Sequence, residues 1–246
     1  MRAVDAEHYW ISARFERREG WNPEVYPFNL PVLRGLEELS FHPRVTFLVG
    51  ENGSGKSTVI EALAVAWGFN AEGGSRNFNF QTRASHSSLH QFIRPVRSTK
   101  RAQDGYFLRA ESHFNVSTQV EELGVGRSYG DRSLHEQSHG ESFFALLDHR
   151  FRGGGLYIMD EPEAALSPSR QLSFLARMHE LAVRRSQFII ATHSPIILAY
   201  PESWIYQATP KGLDRIAYED TDHFQVTRNF LNRRQTFLDI LLSDND

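Results

Sequence analysis

The stretch Val45–Thr58, VTFLVGENGSGKST, constrains this chain most. Val45, Phe47, Leu48 and Val49 form an apolar run of strand length, and a helical pattern over Ser57–Trp67 follows the glycines. Between them, Gly50–Ser57 fit G-x-x-x-x-G-K-[ST], the phosphate-binding P-loop, in the strand–loop–helix context the motif requires. Glycines let backbone amides converge on an anion with no side chain in the way, and the helix start adds its positive dipole end. Gly50, Glu51, Asn52, Gly53, Ser54, Gly55, Lys56, Ser57 and Thr58 are therefore the candidate phosphate-binding residues. Lys56 would reach the β/γ-phosphates, and the Ser57 hydroxyl would ligate Mg²⁺. A Gly/Ser-rich surface turn with a chance lysine is the competing reading, and the flanking elements argue against it.

Composition narrows the classes further. The 246 residues carry a net charge of −3 and no cysteine. Disulfides and thiolate metal sites are excluded, and a cytoplasmic location is expected. The chain as a whole is no electrostatic nucleic-acid binder. No apolar run approaches the roughly 20 residues of a membrane-spanning helix, so no membrane insertion is expected. The opening MRAVDAEHYW lacks the apolar core of a signal peptide. Lys56, Lys100 and Lys211 are the only lysines, so a scarce residue stands where the P-loop needs it.

Along the chain, Tyr9–Arg14 and Leu36–Phe41 read as strands and Asn22–Pro31 as a proline-rich loop. Ala71–Phe80 is loop-like. Gln81–Gly105 suggests a helical or irregular insertion, with Leu89, Phe92 and Ile93 on one helical face. Tyr106–Ala110 is a strand candidate, Ser112–Leu123 a helical one, and Gly124–Asp131 a glycine-rich loop. Glu141–Phe151 suits a helix, Leu156–Met159 a buried strand, Ser169–Arg185 an amphipathic helix and Gln187–Thr192 another buried strand. Ser203–Gln207 and Leu213–Tyr218 look like a strand pair, and Thr221–Leu242 like one or two helices. Strands alternating with helices indicate an α/β sandwich with a mainly parallel core sheet. An antiparallel, strand-rich N-terminal part and a partly helical insertion over about 70–152 complete one domain spanning 1–246. Ligands of such sheets bind beyond the carboxyl ends of the strands. Here three apolar strands end in GENGSGKS, DEPE and THS, which delivers their polar groups to one crevice.

The acidic strand end LYIMDE supplies two carboxylates. Asp160 would hold Mg²⁺ opposite Ser57, and Glu161 would orient or deprotonate an attacking water. Mg²⁺ and Lys56 provide the positive charge that makes a buried acidic pair tolerable. Ser138-His139-Gly140-Glu141 has the layout of a second anion site: a hydroxyl, a glycine backbone and a helix start.

Two phosphate-binding helix starts and one acidic strand end resemble the ATP-binding cassette (ABC) ATPases, over most of the chain. In that family two subunits pack head-to-tail, and the P-loop of one and the signature turn of the other sandwich the same ATP. The resemblance implies Walker A at Gly50–Thr58, the signature at Ser138, Gly140 and Glu141, and Walker B at Leu156–Glu161. It puts the D-loop at Ala164–Ser167 and the switch histidine, which contacts the γ-phosphate, at His193. ATP and Mg²⁺ are the implied cofactors. Gln137, His139 and Glu141 replace the usual Leu, first Gly and Gln of the signature, and Ser167 replaces the usual D-loop Asp. Gln81, Gln91 or Glu111 would serve as the Q-loop ligand, Glu111 having the best context after its strand. Tyr9, Trp10 and Tyr26 are candidates for an adenine platform. The form GENGSGKST…DEPEAALSP…ATHSP is similar to small soluble ABC-type ATPases. It is also similar to the heads of DNA-repair and chromosome-organising ATPases, without their coiled coil.

His135-Glu136-Gln137-Ser138-His139 also matches H-E-x-x-H, a zinc-protease motif, with Glu161 or Glu163 as a third ligand. Gly140 interrupts the zinc helix there, so the nucleotide reading uses the same residues with fewer assumptions. His86 and His90 share a helical spacing but lack a third ligand. No N-K-x-D motif points to guanine. Arg94, Arg97, Lys100 and Arg101 form a solvated face or a nucleic-acid contact. The expected function is Mg²⁺-dependent ATP hydrolysis, with Glu161 and His193 catalytic. ATP would drive homodimerisation coupled to an unknown process through an unknown protein partner. A transporter's nucleotide-binding subunit and an ATP-gated switch in DNA repair or phage defence are the alternatives.

Overall fold

In the computed structural model, the described residues are 8–75, 87–109 and 139–243. The strands are β1 (Trp10–Phe15), β2 (Glu38–Ser40), β3 (Val45–Val49), β4 (Gly74–Ser75) and β5 (Ile93–Arg97). They continue as β6 (Asp104–Arg109), β7 (Gly155–Asp160), β8 (Gln187–Ala191), β9 (Ser203–Thr209) and β10 (Gly212–Ile216). The helices are α1 (Lys56–Trp67), α2 (His139–His149), α3 (Pro168–Val183), α4 (Pro195–Leu198), α5 (Asp222–Asn232) and α6 (Arg234–Leu242).

Seven strands form the main sheet in the order β10-β9-β3-β8-β7-β6-β4. The pairs from β9 through β6 are parallel, and β10 and β4 add antiparallel edges. Side chains alternate between its faces, as a pleated strand requires. Phe47, Tyr157, Met159, Phe188 and Ile190 enter one core, which Phe143, Leu146, Phe174 and Met178 of α2 and α3 cover. Leu48, Leu156, Ile158 and Ile189 enter the other, with Val59, Ile60, Leu63 and Trp67 of α1. Covered on both faces, the central strands read as continuous apolar runs.

A second sheet, β2-β1-β5, is antiparallel and closes over the α1 side. Buried between the two sheets, α1 hides its side chains on almost every side. Trp10 stacks on Trp67 of α1 at 4.9 Å and meets Phe41 edge-on at 4.9 Å. Buried polar bonds tie the sheets together. Gln187 of β8 is fully buried. Its Oε1 accepts from the Tyr9 and Trp10 amides at 3.0 and 2.9 Å, and its Nε2 donates to the Trp10 and His42 carbonyls at 2.8 and 3.1 Å.

Several expectations change. Leu89, Phe92 and Ile93 do not share a helical face: Ser88–Phe92 is a 3-10 turn, and Ile93 begins β5, paired with β1. Pro95 and the polar Arg94 and Arg97 hide that strand's alternation. Helix α3 starts one residue before Ser169, at Pro168, because the Ser167 hydroxyl caps it by accepting from the Arg170 amide at 3.4 Å. The helix expected over Ser112–Leu123 and the loop over Gly124–Asp131 lie outside the described residues. Among the described residues, no helix is long and apolar enough to cross a membrane.

Candidate functional site

The P-loop leaves β3 at Gly50 and enters α1 at Lys56. Two glycines are fixed by contact and conformation. Gly50 has φ of 148°, and a Cβ there would lie 2.8 Å from that of Ala208. Gly55 has φ of 98°, and a Cβ there would lie 2.9 Å from Val32. No side chain caps α1, so its first amides stay available to an anion. Lys56 is only 4% exposed, and its ammonium donates to the Glu51 carbonyl at 2.9 Å. Burial lowers its pKa, while Glu161, Asp160 and Glu163 oppose the shift. The lysine is thus held among carboxylates with its charge facing the loop.

Asp160 shares the parity of Leu156 and Ile158, which point to the α1 face. That register brings it to the helix start, where the Ser57 hydroxyl donates to its Oδ1 at 3.2 Å. Glu161 follows in a left-handed backbone, φ 52° and ψ 54°, which breaks the strand and starts a 3-10 turn over Pro162–Ala165. Non-glycine residues adopt this conformation rarely, and it clusters at functional sites. Glu161 Oε1 lies 3.4 Å from Nε2 of His193. The His193 amide donates to Glu163 Oε1 at 2.5 Å, and its Nδ1 is 3.0 Å from Nε2 of His223 on α5. The three apolar strand ends therefore deliver Lys56, Ser57, Asp160, Glu161 and His193 to one crevice.

Gly140 sits elsewhere. It opens α2, on the opposite face of the sheet from α1. A Cβ on it would run into the Arg170 guanidinium and come 3.0 Å from the Ala165 carbonyl, so the start of α2 rests on the 3-10 turn Pro162–Ala165. Glu141 is exposed beside it. Ser138, Glu111, Gln81, His86, His135 and Glu136 lie outside the described residues, as does the His139 side chain. His90 is in the 3-10 turn, its Nδ1 3.0 Å from the Ser87 carbonyl.

The structure separates the adenine-platform candidates. Trp10 is fully buried, and Tyr9 is buried with its hydroxyl donating to the Arg185 carbonyl, so neither can stack on a base. Tyr26 is 59% exposed, and its hydroxyl lies 3.2 Å from that of Thr58. Gln91 is exposed in the turn before β5. Arg97 lies over the Trp67 ring at 4.3 Å, and Arg94 is 3.7 Å from Glu16. Glu161 and Glu163, suggested as zinc ligands, face His193 instead.

Sequence reasoning missed Arg109 and His223, and named Glu163 only as a zinc ligand. Arg109 stands beside Asp160 in register and pairs with Glu61 of α1 at 2.6 Å. Its place at a parallel strand end was a usable signal. The contacts of Glu163 and His223 with His193 gave none, because each lies 30 residues away from it.

The donor set suits Mg²⁺ more than zinc. Among the described residues no three His, Cys, Asp or Glu side chains gather as a metal cage. Ser57 and Asp160 offer hard oxygens, and Mg²⁺ characteristically takes one or two protein oxygens plus phosphate and water. The paired hydroxyl and carboxylate fit that ion.

Comparisons with known proteins agree with this geometry. The family model described as "AAA domain" matches residues 28–141. A second AAA domain model, whose description also names the AbiEii toxin of a type IV TA system, matches residues 125–199. The pyoverdine export ATP-binding/permease protein PvdT of Pseudomonas savastanoi pv. phaseolicola (strain 1448A / Race 6) is 29% identical over 189 residues, 68% of this chain. The chain spans 28% and 24% of the length of the curated relatives it matches. Among solved structures, cbiO1 from Clostridium perfringens, part of the ABC transporter complex cbiONQ, superposes with a TM-score of 0.50 at 14% identity. That match covers 93% of this chain and 98% of the other. An ABC transporter described as of metal-chelate type, in an inward-facing conformation, gives a TM-score of 0.50 at 15% identity, covering 89% and 88%.

Proposed function

We propose that this chain, which has the fold of ABC-type P-loop ATPases and matches AAA-domain models, binds and hydrolyses Mg-ATP as a single ATPase domain. The reading is carried by the register of β7, which turns Asp160 to the α1 face, 3.2 Å from the Ser57 hydroxyl. Lys56 and the P-loop amides hold the phosphates. Ser57 and Asp160 hold Mg²⁺, with Glu111 as a Q-loop-like ligand on sequence grounds alone. The bound ion neutralises charge on the phosphate oxygens. Glu161 orients and deprotonates the attacking water, and His193 meets the γ-phosphate.

A second copy of the chain completes each site. Its Gly140 and Glu141, which one chain alone keeps on the far face of its own sheet, supply the anion-binding turn together with Ser138. ATP therefore acts as the glue of a head-to-tail homodimer, and hydrolysis releases it to drive a protein partner.

Hydrolysis of Mg-ATP by wild type, Glu161→Gln and Lys56→Ala tests this function. Glu161→Gln should keep ATP binding and lower kcat by about 10²–10⁴-fold, the usual contribution of a general base. Lys56→Ala should lose ATP binding. Wild-type turnover by Glu161→Gln would remove Glu161 from the mechanism.

The similarity to PvdT, a transport polypeptide, favours a second reading, in which this chain is the nucleotide-binding subunit of a transporter. Activity stimulated by a membrane-embedded partner would support it.

A further inference from the structure

Two imidazoles meet behind the site. Nδ1 of His193 is 3.0 Å from Nε2 of His223, and Nε2 of His193 is 3.4 Å from Glu161 Oε1. We propose that His223 is a positioning residue: its Nε2–H donates to His193 Nδ1 and so fixes the His193 proton on Nε2, facing Glu161 and the phosphate end of the crevice. The inference rests on the roles assigned above to Glu161 and His193, and deepens them.

A neutral imidazole carries one proton on two nitrogens, so the bond one nitrogen makes sets the state of the other. Between two neutral rings, one must donate and the other accept. If His193 donated from Nδ1, its Nε2 lone pair would confront the Glu161 carboxylate. His223, accepting at Nε2, would then carry its own proton on Nδ1. That atom is buried and has no hydrogen-bond partner among the described residues. A buried donor without a partner is the rarer and costlier orphan. Either tautomer leaves one buried ring N–H without a hydrogen bond, on His223 Nδ1 or on His193 Nε2, but only the latter faces a carboxylate, Glu161 at 3.4 Å, and that charge selects His223 as the donor.

The surroundings disfavour a charged His223. Burial lowers its pKa first, then His193 and Lys56, while Asp222 and Glu51 oppose the shift. Its position is also fixed from three sides. Thr221, fully buried, caps α5 by accepting from the Phe224 amide at 3.3 Å and donates to the Tyr218 carbonyl at 2.8 Å. The neighbouring Asp222 carboxylate accepts from Gln207 Nε2 at 2.7 Å. The Tyr218 hydroxyl donates to the Pro195 carbonyl, two residues beyond His193, at 2.9 Å. The start of α5 is thus bolted to β9 and to the loop that carries His193. Supports of this kind set the orientation and tautomer of functional imidazoles elsewhere.

The test combines imidazole ¹⁵N NMR with steady-state kinetics on the full chain, as wild type, His223→Ala and His223→Gln. Spectra are taken without nucleotide at a pH of about 8, above the ordinary imidazole range. Wild type should show His193 with a protonated Nε2 and a bare Nδ1. His223→Ala should show mixed tautomers and lose about tenfold in kcat with KM for Mg-ATP little changed. His223→Gln, whose amide can donate from nearly the same place, should restore both the tautomer and most of the rate. A wild-type His193 protonated on Nδ1 overturns the proposal, as does an alanine variant with unchanged tautomer and rate. A wild type that hydrolyses no ATP overturns the proposed function instead, and the spectra still decide the tautomer.

Discussion

Glu163 does its work through one short contact. Its Oε1 accepts the His193 amide at 2.5 Å, holding the loop after β8 against the turn after β7. Hydrogen bonds to a charged group contribute about 1.5–3 kcal/mol. Glu163→Ala should lower stability to urea by about that much, and Glu163→Gln, which keeps an acceptor, should recover most of it. Equal stability of the alanine variant and wild type would mean the loop is held by other contacts. Residues at this scale divide by how local their cause is. Lys56, Ser57, Asp160 and Glu161 were legible because each sits inside a contiguous strand-end motif whose chemistry dictates its residue types. Glu163 and His223 act only through His193 across the fold, and no spacing in the sequence encodes that meeting. Tyr9 and Trp10 show the converse: aromatic character alone does not say whether a ring faces a base or a core, and both rings are buried.

Gln187 shows what an element needs from one side chain. Both acceptor positions and both donors of its amide are used, and they join β8 to β1 and to the turn before β3. Gln187→Leu keeps the bulk and strands the buried backbone groups of Tyr9 and Trp10. The expected loss is about 3–5 kcal/mol in urea unfolding, since each buried group without a partner costs about 1–3 kcal/mol. A loss below about 1 kcal/mol would show that the Gln187 amide does not hold the small sheet in place. The apolar runs Val45–Val49, Leu156–Met159 and Gln187–Ala191 announced their strands. By contrast, β5 was illegible because Arg94, Pro95 and Arg97 mask its alternation, and its pairing with β1 is set by a neighbour about 80 residues upstream. The cap at Ser167 was visible as a Ser-Pro pair, yet the periodicity of the helix drew the boundary to Ser169.

At the scale of the molecule, pH should act through buried phenols. Burial, aided by the Asp104 carboxylate, holds the Tyr157 hydroxyl far above the ordinary phenol range. It accepts the Arg152 amide at 2.7 Å and donates to the Arg152 carbonyl at 2.5 Å. Burial also raises Tyr9, Tyr200, Tyr206 and Tyr218. Above the unfolded phenol pKa of about 10, the unfolded chain has lost protons that the native state keeps, so stability falls as pH rises. This contribution is present in full below about pH 10 and is lost toward the higher folded values. Tyr157→Phe should lower stability at neutral pH and flatten the alkaline decline in the urea midpoint. An unchanged alkaline slope would show that Tyr157 does not titrate between the two states.

At this scale we propose that the P-loop and the Gly140–Glu141 start of α2, on opposite faces of one sheet, meet only across two chains. Sedimentation of Glu161→Gln with and without Mg-ATP tests it most directly, with Lys56→Ala as the control. Glu161→Gln should sediment as a monomer without nucleotide and a stable dimer with Mg-ATP, and Lys56→Ala should form no dimer under either condition. A Glu161→Gln chain that binds ATP yet stays monomeric would contradict it, and would return Gly140 and Glu141 to a purely structural role.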